Sequence, residues 1–112
     1  MPEITVDYSA PLDRRGFARA LHRTVVDTVD ARLEACKTRF REVEELVVGD
    51  GATGEAEAVV HVEIGLLAGR TEEAKARLSR AVLDLVPAHL KDTEGVRVSA
   101  EVRDLDPSYA KS

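Results

Sequence analysis

A switch in hydrophobic period, made twice along the chain, constrains the fold more than any other feature. In EITVDY, Ile4, Val6 and Tyr8 alternate with Thr5 and Asp7, the two-residue period of a strand. SAPLD breaks the strand, and Asp13 is placed to cap a helix. From Arg14 to Glu34 the period lengthens. Phe17, Leu21, Val25, Val29 and Leu33 recur at four-residue steps, with Ala18 and Val26 widening the stripe, which predicts an amphipathic helix. A second strand is expected from about Thr38 to Val48, where Thr, Phe and Val mix with many charges. After GDGATGE, a turn rich in Gly, the cycle repeats. AVVHVEIGLL puts Val60, Val62, Ile64 and Leu66 on one face and Val59, His61 and Glu63 on the other. Thr71 with Glu72 and Glu73 marks the start of a second helix. Its stripe is Ala74, Leu78, Ala81, Val82, Leu85 and Val86, and Pro87 stops or bends it. VRVSAEV alternates again, and DPSYAKS reads as a tail that needs a partner surface to become ordered.

The order is β-α-β-β-α-β. This is an α+β chain of two β-α-β repeats, forming a four-stranded mixed sheet with both helices on one face, because crossovers are right-handed. The opposite face has Val43, Val47, Val59 and His61 as candidate members, and a half-apolar open face suggests burial against other subunits.

A length of 112 residues fits one domain, residues 1–112, with a thin core that oligomerisation would reinforce. A net charge of −5 argues against general nucleic-acid binding, which needs a basic face. No apolar run approaches a membrane span, and the start lacks a signal pattern, so a cytoplasmic protein with no membrane partner is expected. Cys36 has no second cysteine to pair with and reads as a structural thiol. His22, His61 and His89 lack ligand spacing, so no metal site is expected.

Several short matches then fall in register with one family. The chain opens MPEITVDY, a Met-Pro start running straight into an apolar strand with an acidic residue. Arg39-Phe40-Arg41 stands on the second strand and Val60-His61 on the third. Gly65-Leu66-Leu67-Ala68-Gly69-Arg70 precedes the second helix. With these residues the chain resembles the tautomerase superfamily, and within it 5-carboxymethyl-2-hydroxymuconate isomerase. The resemblance favours the tautomerase-type domain over the ferredoxin-like sandwich, the other architecture with this element order. It implies a homotrimer with pockets where subunits meet. The chain departs from the family in having no Trp and in placing Val43, Glu44 and Glu45 where aromatic residues are usual. Two carboxylates at the pocket would repel a dianionic substrate.

The resemblance implies a cofactor-independent tautomerase or isomerase acting on an unsaturated 2-oxo or 2-hydroxy acid, a small-molecule carboxylate. Moving a proton between carbon and oxygen needs a base active near neutral pH and a cation for the developing oxyanion. Pro2, freed by removal of Met1, is implied as the base, because burial and nearby cations lower the pKa of an α-amine. Arg39 and Arg70, with Arg41, are implied to hold the substrate carboxylate, since guanidinium offers a charged planar fork. No metal or organic cofactor is required. A rival reading is a non-catalytic oligomeric small-molecule-binding protein of the same fold, with Pro2 structural; Arg39 and Arg41 would then simply pair with Glu42, Glu44 or Glu45 on a solvated strand.

Overall fold

A computed structural model describes residues 1–51 and 57–112. The turn expected over GDGATGE lies partly outside them. The elements are β1 (Glu3–Tyr8), α1 (Arg14–Val29), β2 (Lys37–Glu42), β3 (Ala58–Leu66), α2 (Glu72–Leu85) and β4 (Val96–Asp104). Short 3₁₀ turns, Leu33–Ala35 and Val86–His89, follow the two helices.

The sheet order is β2-β1-β3-β4. β1 runs parallel to β2, β3 runs parallel to β4, and β1 and β3 are antiparallel. The parallel strands of each unit are neighbours, unlike the split β-α-β of a ferredoxin-like fold. Both helices cover one face. Ile4 and Val6 of β1 and Val60, Val62, Ile64 and Leu66 of β3 are fully buried there. Phe17, Leu21 and Val25 of α1 and Leu78 and Val82 of α2 close over them.

Local chemistry sets the ends of the elements. The Asp13 carboxylate accepts from the Gly16 amide at 3.2 Å, and Thr71 Oγ1 from the Ala74 amide at 3.0 Å. α1 stops at Val29 rather than near Glu34. Asp30 takes the left-handed conformation (φ 57°) and its amide closes on the Val26 carbonyl, a C-terminal cap that the hydrophobic period does not reveal. β2 ends at Glu42, short of the expected Val48. It is an edge strand bonded only to β1, and β1 has ended at Tyr8, so no backbone remains to pair with.

The uncovered face is polar, contrary to the half-apolar expectation. In register it carries Lys37, Arg39 and Arg41 of β2 against Glu3, Thr5 and Asp7 of β1. Beyond them come Gly65, Glu63 and His61 of β3, then Arg103, Glu101 and Ser99 of β4. Val59 belongs to this face, whereas Val43 and Val47 lie past the end of β2. The tail does not wait for a partner. The Leu105 amide donates to the Leu66 carbonyl at 2.6 Å, and the Tyr109 hydroxyl donates to Glu3 at 2.7 Å.

Lys75 sits inside the predicted stripe of α2 and is 9% exposed. Its ammonium bridges Glu72 at 3.1 Å and Asp104 at 3.2 Å, tying α2 to the end of β4. No helix among the described residues is long and apolar enough to cross a membrane. Phe17, fully buried between α1 and the sheet, is expected to carry the largest single share of the core. Phe17→Ala should lower the unfolding free energy by about 3–5 kcal/mol. Urea melts should show this as a lower midpoint at unchanged slope.

Candidate active site

The strand directions gather the start of β1, the start of β2 and the ends of β3 and β4 at one end of the sheet. Pro2 continues the inward alternation of Ile4 and Val6 and is buried. The Lys37 amide reaches its carbonyl at 3.4 Å. The Met1 amine donates to the Ala35 carbonyl at 3.3 Å. Burial pushes the pKa of that amine below its usual value, and the positive charges of Lys37 and Lys111 push it the same way.

On the open face beside this end lies a cavity of about 570 Å³. Its charged lining comprises Glu3, Lys37, Arg39, Glu63, Arg103 and Lys111. Glu3 is its hub. Its carboxylate accepts from Tyr109 Oη at 2.7 Å, Lys37 Nζ at 3.0 Å and Arg39 Nη2 at 3.2 Å. The Tyr109 bond and then the two cations hold the Glu3 pKa down to about 2. The same bond raises the Tyr109 hydroxyl. Arg39 also donates to Thr5 Oγ1 at 3.3 Å.

The expected site residues separate. Arg39 lines the cavity, and Pro2 lies at the same sheet end but on the helix side of β1. Arg41 sits farther along β2, where Nε and Nη2 grip both oxygens of Asp7 at 2.8 and 3.2 Å. Arg70 is at the Pro2 end, and Nη2 donates to the carbonyl of Val29, the last residue of α1, at 3.1 Å. Glu44 and Glu45 follow Glu42, the residue that pairs with Tyr8 at the opposite end of β1. A strand as long as β2 spans ~17 Å at about 3.3 Å per residue, so within one chain these carboxylates follow the end of β2 far from the cavity and do not line it.

Sequence reasoning passed over Lys37, Arg103, Tyr109 and Lys111. Lys37 carried a signal: it shares the parity of Arg39 and Arg41, and starting the strand at Thr38 dropped it. The others are placed by pairings distant in sequence. His61 Nδ1 bonds Ser99 Oγ at 2.6 Å. With Glu63 and Glu101 it brings ligand-type atoms within 4.8 Å of one another, a grouping that spacing within one strand does not display. Arg103 already supplies a positive charge there, 3.4 Å from Glu63. Burial pushes the Cys36 thiol pKa up, which suits a structural cysteine.

Comparison with known proteins decides the family. The family model of 5-carboxymethyl-2-hydroxymuconate isomerase matches residues 2–112. The chain belongs to this isomerase family. No curated protein sequence matches it. Among solved structures it is similar to a 5-carboxymethyl-2-hydroxymuconate isomerase from Deinococcus radiodurans R1, 21% identical with a TM-score of 0.81. That match covers 98% of this chain and 88% of the other. A 5-carboxymethyl-2-hydroxymuconate delta-isomerase is 14% identical with a TM-score of 0.79, over 100% of this chain and 87% of that one. A fused 4-OT described as a symmetric trimer is 30% identical with a TM-score of 0.70, over 98% and 90%. The isomerase is thus an enzyme with the tautomerase fold, and the reading as a non-catalytic binding protein gives way.

The depressed Glu3 pKa makes a pH prediction. A carboxylate whose folded pKa lies below its unfolded value stabilises above the unfolded value, 4.5, and loses that contribution as pH falls toward 2. Lys37 and Arg39 are 55% and 57% exposed, so solvent screens these pairs and the contribution is about 1 kcal/mol. Glu3→Gln should therefore be less stable than wild type at pH 6, and the gap should close by pH 2. Denaturant melts at several pH values check both the sign and the window.

Proposed function

We propose that this isomerase moves a proton within an unsaturated 2-oxo or 2-hydroxy acid, with the Pro2 amine as general base once Met1 is removed. Arg39, aided by Lys37, takes the carboxylate and the developing oxyanion. In the ketonising direction the amine accepts the hydroxyl proton of the enol as the oxo group forms, and the resulting ammonium returns a proton to carbon. No electrons leave the substrate and no cofactor enters the scheme.

The observation that carries this reading is the placement of a buried Pro2 at the end of a strand whose neighbour, Glu3, lines a cavity rich in cations. Burial and the Lys37 charge already lower the amine at Met1. The same causes act on an amine at Pro2, which is more deeply buried than Met1. A neutral amine near pH 7 is the form that accepts a proton. Arg70 spends one donor on the Val29 carbonyl and retains others for a carboxylate, so it is assigned a supporting role. Arg41 is assigned to holding Asp7. For the assembly we adopt a homotrimer, after the symmetric trimer of the fused 4-OT relative.

Three results test the reading. The intact mass should lack Met1. Pro2→Ala should lower kcat/KM for ketonisation of phenylenolpyruvate by about 10²–10⁴-fold, whereas Arg41→Ala should change it by no more than ~3-fold. The profile of kcat/KM against pH should rise through a midpoint below 8.0, the ordinary α-amine value. Wild-type activity in Pro2→Ala removes the base assignment.

A further inference from the structure

The chemistry above gives no task to the middle of the open face, where β3 meets β4. Glu63 and Glu101 are register partners there, one on each strand, and both side chains belong to the open face. Like charges placed directly opposite each other destabilise a strand pair. Arg103 relieves one side, with Nη2 3.4 Å from Glu63 Oε1. Glu101 gains nothing from it. The other carboxylates of the face are paired, Glu3 with Lys37 and Arg39, and Asp7 with Arg41. Arg97, farther back along β4, is taken by Glu57. Glu101 has no cation partner among the described residues.

Next to this pair on the same face stand His61 and Ser99, also register partners. His61 Nδ1 lies 2.6 Å from Ser99 Oγ, and the other ring nitrogen has no partner among the described residues. Metal-ligating histidines are held in this way: a neighbour bonded to one nitrogen fixes the ring and the tautomer, and the second nitrogen faces the ion. One ligand-type atom each from His61, Glu63 and Glu101 lies within 4.8 Å of the other two. Ligands bound at about 2 Å from one ion stand ~3–4 Å apart, so rotations of the two Glu side chains by about an ångström close the set. Glu101 is exposed, which leaves the cluster open to solvent. Of the three, only Glu63 also lines the cavity described above.

We propose that His61, Glu63 and Glu101 form a binding site for a divalent transition cation of the Zn²⁺ class, which ties β3 to β4, with Ser99 holding the imidazole in place. The ion neutralises the opposed carboxylates and gives Glu101 its missing partner. The donor set selects the metal. One imidazole nitrogen with two carboxylate oxygens suits Zn²⁺, whereas Mg²⁺ and Ca²⁺ take oxygen alone. Three side-chain ligands leave the remaining positions to water. The proton transfer proposed above has no step at this ion, so the site goes beyond that reading and does not depend on Pro2 or on the cavity.

Titration of the tag-free, chelator-treated protein with Zn²⁺ and with Mg²⁺ tests it by calorimetry. Wild type should take up Zn²⁺ saturably, at least ~10-fold more tightly than Mg²⁺. Glu101→Gln and His61→Ala should each weaken Zn²⁺ by about 10-fold or more, and Ser99→Ala, which keeps all three ligands, by about 10-fold. Cys36→Ser should stay within about twofold of wild type, since the thiol is not a ligand. Melting gives a second readout. Without metal, Glu101→Gln should melt at or above wild type, because the substitution removes the like-charge pair. With Zn²⁺ the wild-type Tm should rise and that of Glu101→Gln should not. Absence of saturable uptake, or uptake that survives Glu101→Gln or His61→Ala, overturns the proposal. A metal-free Glu101→Gln that melts below metal-free wild type overturns it as well, because Glu101 would then already have a partner within the protein.

Discussion

Side chains along a strand point alternately to its two faces, and β1 lies between β2 and β3 with its register set against both. Burying Ile4 and Val6 under the helices therefore determines the rest. Pro2 follows them inward, and Glu3, Thr5 and Asp7 are turned to the open face. A slip of one residue would bury Glu3 and Asp7 and expose the aliphatic pair. The same alternation passes to the neighbours, so Lys37, Arg39 and Arg41 arrive opposite Glu3, Thr5 and Asp7. Core packing on one face thus sets the electrostatics of the other.

The open face shows how those charges divide between structure and function. Arg41 and Asp7 satisfy each other in a two-pronged pair, leaving little for a ligand. At the other end Glu3 is shared among Tyr109, Lys37 and Arg39, which couples the first strand, the second strand and the tail through one carboxylate. Most of these groups are exposed, so their value for folding is small and their value as a field over the cavity is larger. Arg70 is different again: half-buried and bonded to the end of α1, it joins the two β-α-β units at the site end.

Much of this was legible in the sequence because period reports burial. AVVHVEIGLL is inward at Val60, Val62, Ile64 and Leu66 as expected, and the four-residue stripe of α1 is buried from Phe17 to Val29. Period fails where packing is not the cause. The left-handed Asp30 ends α1, and the loss of a pairing partner after Tyr8 ends β2. At the candidate site, family resemblance pointed to Pro2, Arg39, Arg70 and Arg41. It could not say which group each arginine faces, because two arginines of equal parity on one strand look alike until the carboxylate opposite each is known. Lys111 and Tyr109 were hidden because Glu3, the residue that gives Tyr109 its place, is 106 positions away.

The account stands on the reacting group being the amine at the start of β1. Its most direct test is to treat the purified enzyme with an alkynyl 2-oxo acid, a Michael acceptor carrying the proposed substrate's carboxylate, and to map the adduct by peptide mass. The account predicts one label per chain, on Pro2, with activity lost in proportion to labelling. Labelling confined to Cys36 or a lysine, with Pro2 unmodified while activity disappears, would contradict it.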